Sequence, residues 1–82
     1  MGELDKDFIK SMGPDALYDL GIKYSTGEGT EVDLITAHKW FNLAAMEGSV
    51  SAREWRSELS QEMTAADIAK AQRMAREWIA AN

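Results

Sequence analysis

Apolar residues along this chain recur at three- and four-residue steps, and the runs are separated by short stretches rich in glycine and polar residues. That period is the helical one. The first run, Leu4 to Ser11, is short; Leu4, Phe8 and Met12 lie four apart, and Gly13-Pro14 stops it. A second run, Asp15 to Thr26, places Ala16, Leu17, Leu20, Gly21 and Tyr24 on one side and ends at Gly27-Glu28-Gly29. A third, Asp33 to Glu47, carries the stripe Ala37, Trp40, Phe41, Ala44 and Ala45, with Asp33 suited to cap the start and Gly48 to end it. The fourth, Val50 to Gln61, has Ala52, Trp55 and Leu59 as its stripe and Ser49 as a cap. The fifth opens at Thr64-Ala65-Ala66-Asp67, which resembles a capping box, and is lined by Ile68, Ala71, Ala75, Trp78 and Ile79. No segment alternates strictly between apolar and polar residues, so no strand is expected. Turns this short predict antiparallel neighbours. The predicted fold is therefore all-α, a row of helical hairpins forming an α/α superhelix.

Residues Ala16 to Ala52 carry a more specific signature. They read ALYDLGIKYSTGEGTEVDLITAHKWFNLAAMEGSVSA. Leu20, Gly21, Tyr24, Gly27, Gly29, Asp33, Ala37, Trp40, Ala44, Ala45, Gly48 and Ala52 stand at the spacing of a Sel1-like repeat, a relative of the tetratricopeptide repeat, and the segment closely resembles one. The one departure noted is Thr30, where the family usually has Val; a slightly more polar loop is expected. The residue types suit the resemblance: small residues on facing helices allow close approach, and Tyr24 and Trp40 fill the space between helices. A second, degenerate repeat follows, in which Ala52 takes the place of Ala16 and Ala71-Gln72-Arg73-Met74 echoes Ala37-His38-Lys39-Trp40. The expected organisation is one domain over residues 1–82, with about one and a half to two repeats. It comprises a capping helix at 4–12, a complete repeat at 15–48 and a degenerate capping repeat at 49–82.

Size and charge limit what such a scaffold does. The chain has 82 residues and no cysteine, so a small core holds it without disulfides or thiolate metal sites. The net charge is −5, and residues 1–35 hold all of that excess while residues 36–82 balance. An acidic chain is repelled by phosphate backbones, so nucleic acid is not an expected partner. No apolar run is long enough to span a bilayer, and the acidic start (Glu3, Asp5, Asp7) lacks the apolar core of a secretory signal, so a cytoplasmic location without membrane association is expected.

Candidate chemistry is sparse. His38, the single histidine, falls off the third stripe and is expected to face solvent, with only Lys39 and Asn42 as polar neighbours and no nucleophile or orienting carboxylate. Asp15, Asp19, Glu28, Glu31 and Asp33 are dense but are not spaced as a calcium loop. The expectation is no enzyme, no cofactor and no metal. Lys70, Arg73 and Arg76, with Arg53 and Arg56, form a basic strip that reads as an ordinary polar face or an anionic-partner surface; Glu77 is placed to pair with Arg73. Trp40 and Trp55 are expected in the core, and Trp78 anchors either the lid or a partner.

The resemblance implies a protein–protein interaction module, an adaptor that binds a peptide or protein through the groove lined by the first helix of each repeat. The candidate binding residues are Asp19, Ile22 and Lys23, which point away from the Leu20–Tyr24 stripe, together with Trp78. Ile22 stands out as an apolar residue with no stripe to join. The alternative is a self-assembling structural protein with a homodimer seam near Trp78 and Ile79.

Overall fold

The computed structural model describes residues 13–81. The capping helix expected at 4–12 lies outside them. Among the described residues there are four α-helices and no strand: α1 (Pro14–Thr26), α2 (Leu34–Met46), α3 (Val50–Ser60) and α4 (Ala65–Ala80). The all-α expectation holds.

Each helix starts where its local chemistry dictates. Pro14 opens α1, since its fixed φ suits the first helical position and its missing N–H is not needed there. The Asp33 carboxylate caps α2, accepting from the Thr36 amide at 3.1 Å and the Thr36 hydroxyl at 2.7 Å. Ser49 Oγ accepts from the Ala52 amide at the start of α3, and Thr64 Oγ1 from the Asp67 amide at the start of α4, both at 3.1 Å. Three side-chain caps thus satisfy donors that the helices leave open.

The ends are equally local. Gly27 takes φ 76°, and its N–H bonds to the Lys23 carbonyl. A side chain at Gly27 would face both a positive φ and Val32 Cγ2 at 3.0 Å. The loop then folds back, with the Asp33 amide donating to the Tyr24 carbonyl at 2.9 Å. At the end of α2 the Ser49 amide reaches the Ala44 carbonyl and the Gly48 amide reaches the Ala45 carbonyl, with Gly48 at φ 105°. This is a Schellman closure. Ser49 therefore closes α2 with its backbone and caps α3 with its side chain.

Helix α2 is the centre of the fold. It packs against α1, α3 and α4, whereas α3 and α4 pack mainly on α2 and little on each other. The core follows from that placement: Ala37, Phe41 and Ala44 are fully buried, joined by Leu17, Trp40, Leu43, Ala52, Leu59 and Ala75. Gly21 of α1 sits over the Phe41 ring, and a Cβ built there would lie 2.5 Å from two ring carbons. The small residue is what lets α1 approach α2.

Two expectations about single residues are corrected. His38 does not face solvent; it is 1% exposed, because α3 covers the side of α2 that its own stripe leaves polar. Trp55 is not a core residue; it is 40% exposed. On α3 the buried line is Ala52 and Leu59, seven apart, and Trp55 stands on its flank.

Candidate functional site

The polar group buried deepest is His38. Its Nε2 lies 3.1 Å from Ser60 Oγ, and the Ser60 hydroxyl donates to the Arg56 carbonyl at 2.8 Å. Serine has one proton to give, so the imidazole donates through Nε2 and leaves Nδ1 unprotonated. Nδ1 is buried with no partner. Burial, and then the positive charge of Arg56, hold the His38 pKa below its ordinary value. Arg56 is itself turned toward α2, donating to Asn42 Oδ1. The pair has the atoms of a base and a hydroxyl but not their roles: the serine proton is given to the Arg56 carbonyl, and among the described residues no carboxylate orients the ring. It is a buried neutral hydrogen-bonded link between α2 and α3.

Carboxylates do not converge. Among the described residues no group of three or more His, Asp or Glu is placed to hold a metal ion. A wide depression beside the α1–α2 loop is lined by Tyr24, Thr30, Glu31, Asp33 and Asp67, but its acids do not form a coordinating set. No described helix is long and apolar enough to cross a membrane.

Two further concavities are formed by described residues. The first is an apolar groove of about 200 Å³ lined by Leu17, Leu43, Met46, Glu47, Trp78 and Ile79. Met46 is 62% exposed and Ile79 is 42% exposed at its rim. Trp78 meets Trp40 edge-on, with centroids 5.8 Å apart, so its ring is partly committed to the core.

The second lies between α1 and α3. It is a cleft of about 320 Å³ lined by Tyr18, Ser51, Glu54, Trp55 and Glu58. Four of these recur on α3 at i, i+3, i+4 and i+7 and so share one face. Both aromatic residues of the cleft pack on buried Phe41. Trp55 stacks on it at 6.1 Å with an 11° interplanar angle, and Tyr18 tilts against it at 5.8 Å.

None of the binding residues expected from the sequence lines this cleft. Asp19 is exposed. Ile22 is not without company; it is half-buried and packs against the core. Lys23 lies with its Nζ 5.7 Å from the Tyr24 ring centroid. Trp78 lines the other groove. Lys70, Arg73 and Arg76 are exposed on α4. The residues that do form the cleft carried one sequence signal, the Ser51–Glu54–Trp55–Glu58 spacing, which is masked by assigning Trp55 to the core.

No protein-family model, curated protein or solved structure matches the chain. The chain's own geometry is therefore the ground for any functional reading.

Proposed function

We propose that the chain is a Sel1-like helical-repeat module, without catalytic activity of its own, that binds a protein or peptide segment through the face shared by α1 and α3. The repeat reading is supported by the spacing of its twelve motif residues and by what several of them do. Gly21 lies against the Phe41 ring, Asp33 caps α2, Gly27 turns the loop at positive φ, and Ala37, Ala44 and Ala52 are fully buried at helix contacts. In this reading α1 and α3 are the first helices of successive repeats, so their shared face is the inner one.

The observation that carries the binding role is the α1–α3 cleft. A large aromatic residue, Trp55, is left 40% exposed beside Tyr18, on a helix that already buries Ala52 and Leu59. A solvent-exposed tryptophan in a concave site is how interaction surfaces concentrate binding energy. The test is selection of dodecapeptides from a displayed random library on the 82-residue protein, followed by amide chemical-shift mapping. Binders that shift Tyr18, Ser51 and Trp55 support the reading. Failure to enrich any sequence over the blank support, or shifts confined to other faces, overturns it.

A second reading is favoured by the apolar groove. Its rim residues Met46 and Ile79 suit a second copy of the chain, making a homodimer seam. Light scattering over a concentration series decides it: a mass that doubles, and that Ile79→Asp returns to the monomer value, supports the seam, and a constant monomer mass removes it.

A further inference from the structure

We infer that the α1–α3 cleft takes a cationic side chain, arginine or lysine, presented by a basic protein segment; this rests on the peptide-binding reading and names the chemistry of its ligand. Three observations converge on a cation. Trp55 and Tyr18 offer aromatic surface on either side of Phe41, and an aromatic face carries the negative end of a quadrupole that attracts ammonium and guanidinium groups. Glu54 and Glu58 stand four apart at the edge of the same cleft, both exposed, and neither carboxylate has a hydrogen-bond or ion-pair partner among the described residues. Two like charges at that spacing repel each other along the helix, and a cation seated between them and Trp55 relieves the repulsion.

The bases of α3 do not supply that cation from within. Arg53 and Arg56 fall on the opposite flank of the helix from the Ser51–Glu54–Trp55–Glu58 face, and Arg56 is tied to Asn42 on α2. On the α1 side, Asp15 lies one turn before Tyr18 and is exposed, adding charge of the same sign. The cleft therefore differs in kind from the Leu17–Ile79 groove, whose lining is apolar apart from Glu47. A planar guanidinium suits it best, because it stacks on an indole and presents N–H donors to carboxylates in the same plane.

The probe is a capped nonapeptide with the triplet Gly-Ser-Arg repeated three times. Counterparts carry glutamate or leucine in place of each arginine. Each is titrated into isotope-labelled protein at low ionic strength. The arginine peptide is expected to shift the Trp55 indole and the Glu54 and Glu58 amides. It should lose affinity near 1 M salt, where charges are screened within about 3 Å. It should bind about tenfold more weakly to the double variant Glu54→Gln/Glu58→Gln, as two exposed ion pairs imply. Both positions are exposed, so the variant's helical circular dichroism should match the parent's, which separates a lost ligand contact from a lost fold. Binding of the arginine peptide that is unchanged in the double variant overturns the inference. So does a library-selected peptide without basic residues that occupies the cleft while the arginine peptide does not; the peptide-binding reading then stands and only its charge preference falls. If neither class of peptide binds, both fall.

Discussion

The Phe41 ring occupies the space that a side chain on Gly21 would need, with two ring carbons 2.5 Å from the position of its Cβ. Alanine in place of glycine ordinarily stabilises a helix interior by up to about 1 kcal/mol. Here it meets a fully buried ring that Trp55 and Tyr18 flank. Overpacking of this kind costs about 1–3 kcal/mol, so the steric effect wins. Gly21→Ala is expected to lower Tm by roughly 4–8 °C for each kcal/mol of net loss. Adding Phe41→Leu should make the Gly21→Ala step milder than it is in the parent. An increase in Tm for Gly21→Ala alone would show that the helices have room to part.

His38 makes stability depend on pH. Its folded pKa is held below the unfolded value of 6.5, first by burial and then by Arg56. The unfolded chain therefore binds the proton more readily, and stability falls as the solution is acidified. The contribution is fully present above the unfolded pKa and is lost as pH drops through the folded one. Urea midpoints measured between about pH 7.5 and 5.5, above the carboxylate range, should hold at the upper end and decline once the pH falls to the unfolded value of 6.5 and below. In His38→Gln the decline over that window should flatten. An equal slope in the variant would place the titration elsewhere.

Asp33 holds the start of α2 through both the amide and the hydroxyl of Thr36. Asp33→Ala is expected to cost about 1 kcal/mol, in the ordinary range for a lost cap. Asp33→Ser should recover most of it, since a hydroxyl also accepts from the first-turn amides. Denaturant titration of the three proteins checks the order.

The three tryptophans should separate in a quenching experiment. Trp40 is 8% exposed and Trp55 is 40% exposed. Acrylamide should reach Trp55 readily and Trp40 poorly. Trp55→Phe is expected to remove more of the accessible fluorescence than Trp40→Phe does, provided both variants keep their helical content. The reverse result would put Trp55 back in the core.

Caps and stops were the most legible features of the chain, because they depend on a few adjacent residues. Asp33, Ser49, Thr64 and Gly48 act where their types predict. The Ala37–Trp40–Phe41–Ala44 stripe was legible for a similar reason, since a helix repeats its own period. His38 and Trp55 were misread because burial there is decided by neighbours. Helix α2 is apolar around most of its circumference, with Leu34, Ile35, Leu43 and Met46 off the stripe. A helix this broadly apolar is packed on several sides, and that width was the available sign that His38 is covered. On α3 the opposite holds: the buried line is one residue wide, so an apolar side chain beside it spills into solvent. The candidate cleft joins two helices far apart in sequence. Tyr18 and Trp55 both pack on Phe41, and no local pattern announces a three-body contact.

Ser49 ends one helix with its amide and begins the next with its hydroxyl, so no free linker stands between α2 and α3. The direction in which α3 leaves α2 is thereby written in backbone hydrogen bonds, not in the side chains that α3 displays. Its outward face is free to change its chemistry while its position is conserved. Under the proposed binding role, substitutions at Ser51, Glu54, Trp55 and Glu58 would alter the chemistry of the cleft without moving the cleft itself. An inserted residue at the turn would do the reverse, keeping every cleft residue and aiming them elsewhere.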